Sequence, residues 1–437
     1  TVHGAVSINA GGTLAAGNSP GTLTTGALTL ATGSTLAYEL GQAGVPGGAF
    51  NDLVVVNGDL TLGGTVNVTE SAGGSFGAGV YRLISYTGGL TDNGLAIGSA
   101  PAAASDLQVQ TSVAQQINLI NRAGVSLNFW DGSNGAQYNN NSVTGGSGSW
   151  RVGVPGDAWT DSDGHINAAW VQNQYAVFGG AAGTVAVDDT GGTVGIGGAQ
   201  FMVDGYRVTG DALHIDTVGT VIRVGDGTAG GAAMTATIDS AITGTGGIVK
   251  DDLGMLVLNG ANTYSGGTVV SSGVLQGNST SLQGSIVNNA NVTFEQTVNG
   301  TYSGVMGGSG LLRKTGGGEL TLSSANTYQG GTRIDAGTIK ANVSGALGTG
   351  PVNIAGNASL YFSGGADAGA LNIAMAAGNG AINGGFTQFS DNSSAGSATL
   401  VTQANANVSF ADTSTAADAT IENHGGQITF WNNATGG

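Results

Sequence analysis

Hydrophobic residues in this chain come in short bursts in which apolar and polar positions alternate. Near the start, Leu28 and Leu30, Leu36, Leu53 to Val56, Leu60 and Leu62, then Val66 and Val68 mark such bursts. Alternation of period two predicts half-buried strands, and no segment sustains the helical period of about 3.6. Asn-Gly, Gly-Gly and Ser-Gly pairs punctuate the bursts and supply the turns. The pattern therefore predicts many short strands joined by tight corners.

The bursts also repeat. Gly254-Met-Leu-Val-Leu-Asn-Gly-Ala-Asn-Thr-Tyr-Ser-Gly-Gly-Thr268 has a near copy in Gly318-Glu-Leu-Thr-Leu-Ser-Ser-Ala-Asn-Thr-Tyr-Gln-Gly-Gly-Thr332, at an offset of 318 − 254 = 64. The offset persists outside that window: Lys250 maps to Lys314, Gly273 to Gly337, Leu275 to Ile339 and Asn278 to Asn342. Sixty-four is three times about 21, the length of one coil of a parallel β-helix. Phe389, Phe410 and Phe430 recur at nearly equal steps of about 21 residues, which points to the same coil and to one aromatic per coil at a fixed phase. We read the fold as all-β, a right-handed parallel β-helix (β-solenoid) of about 20 coils of roughly 21 residues. Each strand would pair in parallel with its equivalent one coil away, at about 4.8 Å, giving a rod on the order of 100 Å long. Like then stacks on like, so charges are costly while Thr, Val and Asn are favoured.

Composition agrees with that physics. Only 8% of residues are charged, Gly numbers 83 and Pro 5, with no Gly-X-Y period that would suggest collagen. A hydrophobic content of 40% with so few charges can bury a core, which argues against disorder. The formal charge is −17, and the ten Lys and Arg residues are scattered from Arg82 to Lys340. Nucleic-acid binding needs clustered cations, as does an anionic membrane surface, so neither partner is expected. Cysteine is absent, which removes thiolate metal sites and Cys nucleophiles from consideration. No apolar run approaches the ~18 residues of a membrane-spanning helix. The chain opens at Thr1 without a leader and reads as a fragment cut in mid-pattern at both ends.

Two phrases carry a family resemblance. Leu256-Val-Leu-Asn-Gly-Ala-Asn-Thr-Tyr-Ser-Gly-Gly-Thr268 and its copy at 320–332 resemble the passenger-associated transport repeat of bacterial autotransporters. Gly12-Thr-Leu-Ala-Ala-Gly-Asn-Ser-Pro-Gly-Thr-Leu23 is similar to the Gly-Asn-Ser-Pro-Gly coil of the same proteins. The likeness covers most of the chain and weakens around residues 125–180. It implies a type V secreted passenger, displayed on the cell surface or released. Its partner would be its own C-terminal β-barrel translocator, of which this chain shows no strands. Adhesins, toxins and proteases share that family, so the resemblance alone leaves the activity open.

Few motifs could carry chemistry. Gly17-Asn-Ser-Pro-Gly21 matches the Gly-x-Ser-x-Gly elbow of serine hydrolases in form. That elbow needs a backbone N–H after the Ser, which Pro20 lacks. Asp157, Asp161 and Asp163 could hold calcium in a loose surface loop. The EF-hand spacing fails, because Trp159 and Trp170 fall at the terminal ligand positions. Asn51 and Asp52 sit in a segment that weakly resembles a calcium nonapeptide. His3, His165, His214 and His424 share no ligand spacing. Asp188-Asp189 and Asp251-Asp252 are adjacent pairs, which on strands point to opposite faces. No cofactor, metal or catalytic residue is expected.

Residues 125–180 depart from the rest. Trp130, Trp150, Trp159 and Trp170 fall there, with Phe129, Tyr138, Tyr175 and Phe178. These rings either cap the core or form an exposed aromatic platform, and the four Trp are the candidate ligand-binding residues. The organisation read from the chain is thus coils at 1–124, a Trp-rich stretch of coils or loops at 125–180, and coils at 181–437. The last part holds the repeats at 246–278 and 310–342 and the Phe-phased coils at 389–437. The function expected is a non-enzymatic adhesive rod for bacterial attachment, meeting a host or matrix protein or glycan. The rival is a β-helical polysaccharide-processing enzyme, a lyase or hydrolase.

Overall fold

The computed structural model describes residues 1–17, 20–153, 156–379 and 383–437. Among them are short strands and four brief stretches of 3-10 helix, with no α-helix. The chain divides into two compact units, Thr1–Gln172 with Gly179–Gly192, and Asn173–Phe178 with Thr193–Gly437.

The first unit begins as a parallel β-helix with three strands per coil. Val6–Ile8, Leu28–Leu30, Leu60–Leu62 and Leu90–Asp92 form one ladder. Thr13–Ala15, Thr35–Leu40, Thr65–Glu70 and Ala96–Ile97 form the second. Thr22–Thr25, Leu53–Val56 and Gly79–Tyr86 form the third. Val6 pairs with Leu28, but Leu28 pairs onward with Leu60, so the second coil is longer than the first. The extra length includes a loop tied down by Asn51 and Asp52. The buried Asn51 carboxamide accepts from Gly41 and Gln42 N–H at 3.0 and 3.1 Å and donates to the Gln42 and Val45 carbonyls. Asp52 accepts from Gly21 and Glu39 N–H at 2.6 and 2.8 Å. These two residues are turn anchors.

Parallel stacking then gives way to antiparallel strands. Gln116–Asn121 runs antiparallel to Gly79–Tyr86, and Leu107–Gln110 antiparallel to Gln116–Asn121. A parallel return needs a whole coil, whereas the short link between these strands, with Gln115 at φ 64°, reverses the chain at once. The pairing steps from Ile117↔Ile84 to Asn118↔Arg82, a bulge that leaves Leu83 extra. Leu83 and Ile84 both turn inward in consequence, and Arg82 and Ser85 face outward.

The second unit is the more regular solenoid. Leu256, Leu275, Val292, Leu312, Thr332, Val352 and Ile373 stack in one buried row, each a single coil from the next. The Phe row is longer than the sequence suggested. Phe362 joins Phe389, Phe410 and Phe430, with ring centroids 4.7, 5.0 and 4.9 Å apart and planes within 9°. That spacing is the strand spacing of a sheet, so register alone sets the stack.

The two repeat copies are not related by three whole coils. Lys250 lies in the ladder that pairs it with Ile222 and Val270. Lys314 lies in another ladder, opposite Phe294. The following strands, Met255–Leu258 and Glu319–Leu322, shift in the same sense. The second copy is therefore displaced by three coils and one further face. Coils in this stretch are shorter than the expected length of about 21, so the offset overshoots three of them. A strand-corner-strand unit makes the same local bonds on any face of a solenoid, and the repeat keeps those bonds.

Candidate functional site

The repeat motif is built from groups that bind neighbouring coils. Asn262 accepts from Ile242 N–H at 2.8 Å on one side and donates to the Ser281 carbonyl at 2.8 Å on the other. Asn326 does the same between Met306 N–H, at 2.7 Å, and the Ala346 carbonyl, at 2.6 Å. The Tyr264 and Thr268 hydroxyls are hydrogen-bonded to each other at 2.7 Å, and those of Tyr328 and Thr332 at 2.6 Å. At Gly266 and Gly330 a Cβ would stand 2.5 and 2.4 Å from the carbonyl carbons of Gly246 and Gly310, so only Gly permits the approach.

The two repeat lysines are fully buried and act as internal caps. Lys250 Nζ donates to the carbonyls of Asp251, Asp252 and Ser272 at 2.8, 2.8 and 3.1 Å. Lys314 Nζ donates to Thr315, Gly316 and Ala336 at 2.8, 2.7 and 3.1 Å. Burial pulls both ammonium groups down to about 8, and Asp251 and Asp252 partly oppose it at Lys250. Each lysine satisfies three turn carbonyls at once. The motif is thus a device for stacking coils.

The four candidate tryptophans all lie in the first unit and are buried, none more than 3% exposed. Their rings face one another, with centroids 4.4 Å apart for Trp159 and Trp170, 4.9 Å for Trp150 and Trp159, and 5.1 Å for Trp150 and Trp170. Trp130 packs edge-on to Trp159 at 5.3 Å and donates from its indole N–H to the Gly146 carbonyl at 2.8 Å. The strands Phe129–Trp130, Trp159–Thr160 and Asn167–Ala168, which carry or adjoin three of them, pair antiparallel. A glycan platform needs ring faces open to solvent, and in this structure the indoles fill a local core.

The carboxylates considered for calcium are drawn apart by different partners. Asp157 is buried and accepts from Gln108 and Ser112, and burial raises its carboxyl against those bonds. Asp161 accepts from His165 N–H at 2.7 Å and lies 3.4 Å from the His165 imidazole, while Asp163 stays exposed. Among the described residues no three His, Asp or Glu side chains gather as a metal site. Asp188 accepts from Thr190 N–H at 3.0 Å, and Asp252 pairs with Arg223 at 3.1 Å. Asn18 and Ser19 of the Gly-x-Ser-x-Gly match lie outside the described residues.

A groove in the first unit, with a volume of about 760 Å³, was not foreseen from the sequence. Arg82, Gln116, Asn118, Tyr138, Asn141 and His165 are among its lining residues. Asn118 accepts from Arg82 Nε at 2.7 Å and donates to Gln110 at 3.0 Å. Asn139 donates to the same Gln110 oxygen at 2.9 Å and trades bonds with Asn167, which donates to Asp131 at 2.9 Å. A connected polar network therefore underlies the groove and holds it in shape. The Gln-x-Gln and Gln-x-Asn alternations at 108–110 and 116–118 were the only signal of it, since carboxamides at buried strand positions demand partners.

Among the described residues the repeat motifs are spent on bonding neighbouring coils, which makes this a repeat solenoid held together by its own stacking. A family model of the passenger-associated-transport-repeat matches residues 248–276 and 312–341. The chain is 41% identical over 381 residues to the adhesin BmaC autotransporter of Brucella suis biovar 1 (strain 1330), spanning 80% of this chain and 11% of that protein. No solved structure matches the chain. The chain is a stretch of autotransporter passenger carrying passenger-associated transport repeats, and as such is displayed at the cell surface or secreted.

Proposed function

We propose that this stretch serves as a non-catalytic adhesive stalk in bacterial attachment to host cells or matrix. The observation that carries the reading is the 41% identity to an autotransporter adhesin along 80% of the chain. The structure supports it through the repeats, whose polar groups are spent on coil-to-coil bonds. Stacked coils extend the passenger from the cell, and weak contacts spread along it add as avidity. A polysaccharide-processing enzyme would want several carboxylates converging in a groove, and Asp161 is the lone carboxylate among the described residues lining the groove of the first unit. The test is binding of purified residues 1–437 to host-cell monolayers. Saturable binding that competes with attachment of the bacterium is expected. Absence of both binding and competition overturns the adhesive reading, and new reducing ends in a polysaccharide digest overturn the non-catalytic one.

A further inference from the structure

We propose that the groove of the first unit binds carboxylated saccharides, glycans that carry uronic or sialic acid residues. The inference rests on the adhesive reading and names the ligand class of one site within it. The first observation is the state of Arg82. Of the ten basic residues, Arg151, Arg207, Arg223, Arg313 and Arg333 each meet an Asp. Lys250, Lys314 and Arg122 are satisfied by carbonyls, and Lys340, like Arg82, pairs with no carboxylate among the described residues but lies outside the groove. Arg82 lines the groove half-buried, and among the described residues no carboxylate pairs with it. A half-buried guanidinium without an anion, in a chain of net charge −17, favours an anion brought by a ligand.

The second observation is preorganisation. The bulge at Leu83 aims Arg82 outward, Asn118 fixes its Nε at 2.7 Å, and Ser85 takes one Nη1 proton at 3.3 Å. The outer edge of the planar guanidinium is left for a bidentate carboxylate. The third is the company it keeps. The Gln116 and Asn141 carboxamides line the same groove, and an amide both donates and accepts, as a sugar hydroxyl does. The volume of about 760 Å³ suits a short oligosaccharide. A polyacidic peptide fits less well, because Asp161 also lines the groove and His165 already faces it.

The test titrates residues 1–437 with trigalacturonate, 3′-sialyllactose, neutral lactose and hexaglutamate by calorimetry. At least one carboxylated sugar should bind, with lactose and hexaglutamate at least ~10-fold weaker, the loss expected for one charge-assisted contact. Which of the two binds identifies the uronate or sialate source. Arg82→Gln, shown by peptide-level hydrogen exchange to keep the parent's protection, should weaken binding at least ~10-fold. Val45→Asp, at an exposed rim position 38% accessible, should weaken it several-fold without touching the core. Failure of both carboxylated sugars, equal binding of lactose, tighter binding of hexaglutamate, or unchanged affinity in both variants overturns the proposal. A chain that binds cells but neither sugar loses only this assignment, whereas one that binds a sugar but no cell loses the adhesive reading.

Discussion

Asn326→Ala tests the coil-stitching role of the repeat motif. Asn326 is buried, and its carboxamide satisfies the Met306 N–H of the coil before it and the Ala346 carbonyl of the coil after it, at 2.7 and 2.6 Å. Alanine removes both partners and leaves two buried backbone groups unpaired. Each such group costs about 1–3 kcal/mol, so the variant should lose about 2–6 kcal/mol across the two coil interfaces that flank Asn326. Long repeat arrays seldom unfold in one step, so a single melting temperature is the wrong observable. Hydrogen exchange read peptide by peptide is the right one, because solenoid stability is held between neighbours. At about 1.4 kcal/mol per decade, amides around Met306 and Ala346 should exchange faster by roughly 30-fold to 10⁴-fold. Asn353, exposed on its strand, is the control, and Asn353→Ala should stay within ~0.5 kcal/mol. An Asn326→Ala chain whose local exchange rises less than ~3-fold, or rises equally in distant coils, would refute the stitching role.

Three further outcomes follow from the second unit. Burial lowers the repeat lysines to about 8 from 10.5, so between those values the unfolded chain holds more protons and stability rises with pH. Exchange protection near both lysines should therefore grow from about pH 8 to about 9.5, below the ordinary tyrosine range, and Lys314→Met should abolish that slope near its own site; an unchanged slope there contradicts the assignment. Phe389→Ala opens a fully buried position between two stacked rings and should cost about 3–5 kcal/mol locally, with a loss under ~1 kcal/mol in hydrogen exchange of the flanking coils counting against the Phe ladder as core. Gly330→Ala forces a Cβ to 2.4 Å from Gly310 and should cost about 1–3 kcal/mol. Gly317→Ala meets nothing within 4 Å and should change stability by less than ~0.5 kcal/mol, so equal effects of the two on local hydrogen exchange would remove the close-approach argument.

Much of the fold is legible in local pattern because a solenoid is held together by neighbours that repeat. Period-two bursts and Gly-rich corners set strand against turn, and the Phe spacing of about 21 residues reports the coil directly. The scarcity of charge follows from like stacking on like. Three features needed the tertiary structure. The two repeat copies fall on different faces, since Lys250 and Lys314 make equivalent local bonds on either and nothing local records which face is meant. The four Trp close on one another through pairings that local pattern does not record: Trp130 lies opposite Trp159 across antiparallel strands, Trp150 sits on a strand paired in parallel with Thr184–Asp188, and Trp170 bridges Val152 in parallel. Arg82 gains its fixed, outward setting only through a bulge opposite Asn118, on a strand far along the chain. What depends on contacts one coil away was written in the sequence, and what depends on how distant strands register was decided by folding, because register is settled by packing across the whole sheet.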